Sequence, residues 1–370
     1  SYFNKVSRNQ DLNDDLLIWK TRAALRQGDW KAVVASIDAM DGAKQDTTWI
    51  YWKARGQLAL HTAPSDPVRA EANAALQNIA SVRGFYEQLA LEELGQTITV
   101  PAKPAALTAQ EKLAAAQNAG LQRALYALSL GMRSEGNREW NYTTNLHTPG
   151  GMNDRDLLAA ADLACSKQVW DRCINTSDRT KTQIDFDQRF PMPLKDTVLR
   201  KSKEVQIDPA YVYGLIRQES RFIMDARSHV GASGLMQIMP ATARETARHI
   251  GLNGFAPHHI NDRDVNLTIG TAYLKRALDD FGGSMALAAA AYNAGPSRSR
   301  TWRNGPVMEG AAWAENVPFH ETRDYVKKVM SNTVYYAAVL GGEARSLKSR
   351  LGTVAARGTP SDQLANKDLP

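Results

Sequence analysis

The sequence predicts a mostly α protein, with helix-pair repeats forming an α-superhelix and then a compact α-rich domain. Three observations lead there. From residue 12 to about 178, apolar residues recur at helical spacing with few β-branched clusters. Within that stretch Trp19-Lys20-Thr21-Arg22-Ala23-Ala24-Leu25 returns 33 residues later as Trp52-Lys53-Ala54-Arg55-Gly56-Gln57-Leu58. Beyond Phe190-Pro191-Met192-Pro193 the composition changes, and special turns appear at Gly231 and Gly234, Gly251 and Gly254, Gly282-Gly283 and Asn293 to Pro296.

Each element follows from local chemistry. The 33-residue spacing suits helix pairs of the tetratricopeptide type, in which a large aromatic and small residues allow close packing. Gly28-Asp29-Trp30 is the turn inside one pair, and a degenerate copy begins near Tyr86. Pro101 and Pro104 interrupt the helices between residues 97 and 108, and helices resume over 110–118 and 121–130. The array begins within a dozen residues of Ser1 without an obvious polar capping helix, so further helices are expected before it. A repeat region over 1–100, a helical linker domain over 101–186, a site-bearing domain over 187–345 and a polar tail over 346–370 are therefore expected.

Composition bounds the function. At 370 residues, with 43% hydrophobic and 23% charged residues, the chain suits two or three domains and has a globular balance, which excludes disordered and fibrous classes. The net charge of +6 favours anionic polymers or surfaces, but no run of five Lys or Arg occurs, so nucleic acid is not the expected partner. The longest apolar run, over 285–292, falls far short of the roughly 20 residues that span a bilayer. No secretion signal is recognisable at the start. Cys165 and Cys173 lie eight apart on two consecutive predicted helices, which leaves a disulfide and two buried thiols both open.

The chemistry centres on Glu219. Asp208-Pro209 is a strong helix start, with Asp at the N-cap and Pro at the first helical position. That helix places Glu219 at its C-terminal end, on the face of Leu215 and Ile216. Burial and the negative helix end both disfavour a carboxylate there and raise its expected pKa, as a general acid for glycoside cleavage requires. A Glu reaching solvent, or pairing with Arg217 or Arg221, is the alternative.

Four spaced motifs then point one way. They are Glu219-Ser220-Arg221-Phe222 with Ala226-Arg227-Ser228, the run from Gly231 through Gly234-Leu235-Met236-Gln237-Ile238-Met239-Pro240, Ala291-Tyr292-Asn293-Ala294-Gly295, and Pro318-Phe319 with Glu321-Thr322-Arg323-Asp324-Tyr325-Val326. Together they resemble the catalytic domain of the soluble lytic murein transglycosylases, a goose-type lysozyme-like fold. The resemblance covers roughly 195–340; the helical half is similar to that family's superhelical region, and residues from 110 to about 182 to its linker domain. It implies Glu219 as the sole catalytic acid, with Ser228, Gln237, Met239, Tyr292, Asn293 and Glu321 binding substrate. It also implies a bacterial periplasmic location, where Cys165 and Cys173 could be oxidised to a disulfide, with two free thiols still the alternative. His229 and Val230 depart from the family loop outside its motif positions.

Residue chemistry supports these roles, with blander alternatives beside them. Gly231 and Gly234 allow main-chain groups to approach a sugar, or simply make tight turns. Gln237 can donate to and accept from an N-acetyl group, or be an ordinary loop polar. Met236 and Met239 suit either a core or a pyranose face. Tyr292 ends an apolar stretch as a core aromatic or a site hydroxyl, and Glu321 suits a helix N-terminus as well as a site.

No partner carboxylate stands at a motif-supported position, so the two-carboxylate scheme of ordinary glycosidases lacks its second member. The expected substrate is a peptidoglycan glycan strand or muropeptide, whose 2-acetamido oxygen supplies the nucleophile. The expected product is a 1,6-anhydro-N-acetylmuramic acid end. A lysozyme-type hydrolase and an inactive scaffold that binds cell-wall proteins are the competing readings. His258-His259 lacks the spacing of zinc ligands, and neither a phosphate-binding loop nor a Gly-x-Ser-x-Gly elbow occurs, so no metal or cofactor is expected.

Overall fold

The computed structural model describes residues 3, 6, 8–341 and 346–356. Among the described residues there are twenty α-helices and one two-stranded antiparallel sheet. The described residues group into two compact units, one drawn from 1–99, 205–215 and 271–356, the other from 100–204 and 216–270.

The first unit opens with helices Asp14–Gln27, Trp30–Asp38, Thr47–Leu60, Pro67–Ile79 and Phe85–Glu93, each packed on the next in sequence except the last, which also meets Thr47–Leu60. Side-chain oxygens of Asn13, Asp29, Asp46 and Asp66 accept backbone N–H bonds at the first four N-termini and so satisfy donors the helix cannot. Gly28 closes the first helix at φ 67° and Asp29 opens the second, which is the expected turn. The two repeat tryptophans are not equivalent. Trp52 is fully buried among Trp30, Tyr51 and Tyr86, whereas Trp19 is 42% exposed.

A carboxylate lies at the centre of this unit. Glu315, 1% exposed, ends the helix Gly310–Glu315. Its Oε1 accepts from Arg22 Nη2 at 2.9 Å, and its Oε2 accepts from the Tyr86 hydroxyl at 2.5 Å and Lys327 Nζ at 3.0 Å. Arg323 stands 3.8 Å away, and Trp52 Nε1 donates to the Tyr86 hydroxyl at 3.1 Å. Burial alone would push the Glu315 carboxyl up; the charges of Lys327 and Arg22 and the Tyr86 bond outweigh it and hold the group below the usual carboxylate range.

Residues 346–356, expected to start a polar tail, are instead a packed strap. Leu347, Leu351 and Val354 are buried, and Thr353–Val354 pairs antiparallel with Met308–Glu309. The Glu92 carboxylate accepts from Leu347 N and Lys348 N, and Arg350 Nη1 donates to Asp208 Oδ2 at 2.8 Å. Three apolar side chains at positions 347, 351 and 354 suffice for this, and the intervening Lys, Ser and Arg hid them. Residues 357–370 of the expected tail lie outside the described residues.

The second unit contains helices Ala109–Gln117, Ala119–Ser129, Arg133–Asn145, Asp154–Ser166, Trp170–Ser177, Phe186–Arg189 and Lys195–Glu204. A Thr108–Glu111 capping box restarts the chain after the proline-bearing stretch. Leu121, Ala124, Trp140, Ala159, Ala160, Ala164 and Cys173 form its core. Cys165 and Cys173 are joined by a disulfide with their Cα atoms 5.0 Å apart, tying Asp154–Ser166 to Trp170–Ser177.

Removing one partner from a buried charge cluster leaves the others uncompensated. Glu315→Gln should therefore lower unfolding stability by about 3–5 kcal/mol at neutral pH, read by urea or thermal melting. The folded pKa lies below the unfolded one, so this stabilisation is complete above about pH 4.3 and is lost as pH falls through the folded value. The melting curves of parent and variant should converge on acidification; a gap that persists unchanged to low pH would contradict the ionised role.

Candidate active site

Helix Pro209–Glu219 carries the acid. Asp208 Oδ1 accepts from Ala210 N at its start, and its interior residues Tyr211, Val212, Tyr213, Leu215 and Ile216 are all buried. Glu219 is half-buried at the last helical position. The next residues turn sharply: Arg221 and Phe222 have φ of 48° and 62°. Two consecutive left-handed side-chain-bearing residues each cost about 1–2 kcal/mol, and such strain persists only where the surroundings enforce it. Phe222 is 3% exposed, so its burial offsets part of that cost.

Ser220 fixes the turn from the other side. Ser220 is 6% exposed, and its hydroxyl donates to Leu235 O at 2.8 Å and accepts from Phe222 N at 3.1 Å. The residue after the acid is thereby bonded to the glycine-rich loop. That loop is itself held by Asn266, 1% exposed, whose Oδ1 accepts from Met236 N at 2.9 Å. Asn266 Nδ2 donates to Ser233 O and Ile260 O, each at 3.0 Å. A Cβ at Gly234, which has φ 79°, would stand 2.1 Å from that amide nitrogen. The glycine is required by both conformation and space.

The expected loop residues fall out as follows. Ser228 is half-buried, and its Oγ accepts from Ala232 N at 2.9 Å. Gln237, at φ 46°, donates from its side-chain amide nitrogen to Ala226 O and Gly234 O, so that both N–H groups are committed to the loop backbone. Of the two methionines, Met236 is fully buried and Met239 is 41% exposed. Gly270 lies under Met236, where a Cβ would meet Sδ at 2.3 Å. Phe222 and Asp225 also wall a cavity of about 500 Å³ together with Tyr126, Arg133 and Trp170.

Arginines surround the acid's helix end. Arg217 donates to both oxygens of Asp178 at 3.1 and 3.0 Å and to Arg189 O at 2.9 Å, with its guanidinium over the Phe190 ring. Burial and then the charge of Arg217 push Arg221 down from the ordinary guanidinium range.

In the first unit, helix Met285–Ala294 ends at Gly295, φ 90°. Tyr292 is half-buried there with its ring centroid 5.2 Å from that of Tyr273. Asn293 Oδ1 accepts from Thr322 Oγ1 at 2.7 Å, which ties this end to the first turn of helix His320–Gly341. Glu321, next to Thr322, is exposed. Ser220 and Thr322 lie inside motifs read from the sequence but carried no role there, and Asn266 lies outside every motif; each is polar and buried. Among the described residues no group of three or more His, Cys, Asp or Glu is placed to hold a metal ion, and no helix is long and apolar enough to cross a membrane.

Comparison with known proteins gives this arrangement its kinship. Residues 196–311 match the family described as the transglycosylase SLT domain, and residues 316–344 match the soluble lytic transglycosylase helical domain. The soluble lytic murein transglycosylase of Escherichia coli K12 is 31% identical over 340 residues, covering 91% of this chain and 50% of that protein. The protein of the same name from Salmonella typhimurium is equally similar, at 31% over 340 residues. Among solved structures, an inactive variant of lytic transglycosylase Slt from Pseudomonas aeruginosa superposes with a TM-score of 0.78 at 32% identity, over 90% of this chain and 53% of that one. A complex of the 70 kDa soluble lytic transglycosylase with bulgecin A gives 0.74 at 28%, over 90% and 53%. The chain spans about half the length of the relatives it matches. Its motifs, its helical architecture and these matches agree: the chain carries a transglycosylase SLT domain over residues 196–311 and is similar over most of its length to the soluble lytic transglycosylases.

Proposed function

We propose that this protein cleaves the β-1,4 bond between N-acetylmuramic acid and N-acetylglucosamine in peptidoglycan without water, leaving a 1,6-anhydro-N-acetylmuramic acid end. The observation that carries the reading is the half-buried Glu219 at its helix end, braced through Ser220 by the loop that Asn266 holds. Glu219 donates its proton to the leaving glycosidic oxygen while the substrate's 2-acetamido oxygen attacks C1. Glu219, now a carboxylate, takes the proton from the C6 hydroxyl, whose oxygen attacks C1 and releases the acetamido group. The acid returns to its starting state, and no water is consumed. Ser228, Gln237, Met239, Tyr292, Asn293 and Glu321 bind the glycan in this reading. Residues 1–100 act as the superhelical region, 101–186 as the linker domain and 187–345 as the catalytic domain, at work in the bacterial periplasm. The cationic balance of +6 favours docking on a wall polymer rich in stem-peptide carboxylates.

Digestion of purified murein sacculi with mass analysis tests the reading. The anhydro product is one water lighter than a hydrolase's, so reducing ends alone would replace this proposal with hydrolysis. Glu219→Gln should lower the rate by about 10⁴ or more, because one residue serves both proton transfers. Its melting temperature should hold or rise, since a neutral amide suits a negative helix end better than a carboxylate. Tyr292→Phe should retain measurable turnover, as it removes a supporting hydroxyl and not the proton carrier.

Asn266→Ala would remove the three bonds that this buried amide makes to Met236 N, Ser233 O and Ile260 O, of which Ser233 O keeps the Ile238 N–H. A stability loss of about 3 kcal/mol and reduced turnover are expected. Unchanged melting and unchanged activity together would show that the loop does not depend on Asn266.

A further inference from the structure

We infer that Phe319 is a platform for the apolar face of a pyranose ring of the glycan strand, the sugar resting on the part of the ring that Arg298, whose guanidinium stands over it, leaves open, with Arg298 supplying N–H donors beside the sugar. The inference deepens the function proposed above and rests on it. Phe319 is 47% exposed although it is a large apolar side chain. Its backbone is nonetheless fixed. Pro318 precedes it, its carbonyl accepts from Arg323 N at 2.8 Å, and the buried Arg323 also donates to Val317 O at 2.8 Å. Its ring is fixed as well. Trp302 meets it edge-on with centroids 5.3 Å apart, and the Trp302 carbonyl accepts from Nε1 of the buried Trp313 at 3.2 Å. The Arg298 guanidinium lies 5.3 Å from the Phe319 centroid and donates to Ala294 O at 3.0 Å.

Scattered exposed apolar residues need no explanation, but this one is held on three sides and sits beside groups already assigned to the substrate. Asn293, one residue before Ala294, is bonded to Thr322, three residues after Phe319. Tyr292, Asn293, Arg298, Phe319 and Glu321 therefore cluster within one unit. A flat, rigid ring flanked by polar groups suits a sugar. One face of a pyranose presents C–H bonds to an aromatic ring, while its equatorial hydroxyl and acetamido groups reach the surrounding donors and acceptors. A preordered ring loses little rotamer freedom on binding, so its contact is not offset by ordering. The ring contributes binding and takes no proton, so Phe319 is a specificity-determining residue.

The test measures sacculus turnover and, separately, calorimetric binding of chitin oligosaccharides of increasing length to protein carrying Glu219→Gln. Phe319→Ala should raise KM about tenfold with a much smaller effect on kcat, and should abolish the affinity gained on lengthening the oligosaccharide past the ring. Phe319→Leu keeps apolar packing without a flat face, and should lose the same affinity at an unchanged melting temperature. Phe319→Trp should restore it. Parental KM and parental affinity in Phe319→Ala, or full affinity in Phe319→Leu, overturn the inference. A parent protein that yields no anhydro-muropeptides defeats the proposed reaction instead, and the calorimetric arm still decides whether Phe319 holds sugar.

Discussion

A single buried carboxylate holds the first unit together. Glu315 joins four helices far apart in sequence: Asp14–Gln27 through Arg22, Phe85–Glu93 through Tyr86, its own Gly310–Glu315, and His320–Gly341 through Lys327. Burying one negative charge is costly unless it is fully paired, and here three cations, Arg22, Lys327 and Arg323, and a phenolic hydroxyl pair it. The geometry that satisfies the charge also fixes where each helix lies. An apolar cluster in the same place would bury more surface but would tolerate sliding, whereas bonds of 2.5 to 3.0 Å do not.

The same unit shows how the strap meets the helix that carries Glu219. The strap over 346–356 pairs Arg350 with Asp208, the residue that starts the helix carrying Glu219. Close approach is built in at Gly310, where a Cβ would stand 2.5 Å from the Leu351 carbonyl oxygen. The N-terminus of the acid's helix is thus positioned by residues about 140 further along the chain.

At the other end of that helix, strain and polar bonds act together. The left-handed pair Arg221-Phe222 costs free energy that the burial of Phe222 and the two bonds of Ser220 offset. Loop residues at unusual backbone angles, such as Gln237 and Gly234, are held by Asn266 and by their own amides. The proton transfers proposed for Glu219 call for this rigidity, because proton transfer tolerates little misplacement.

Periodicity, turn chemistry and motif spacing determined the helical class, the start of the acid's helix at Asp208-Pro209, the breaks near Pro101 and Pro191, and the candidate Glu219, because all of these are written in neighbouring residues. The repeat of Trp19 at Trp52 was equally visible, yet only packing decided that one is exposed and the other buried, since burial depends on which helices later cover a face. Buried polar residues were the least legible. Ser220, Asn266, Thr322 and Glu315 look like surface residues in a sequence, and their partners lie up to 293 positions away, so only the tertiary structure brings donor and acceptor together. The strap was missed for a related reason. Three apolar side chains among charges carry too weak a pattern to declare a packed element, and their placement is decided by Met308–Glu309 and the Glu92 carboxylate, which come from distant parts of the chain.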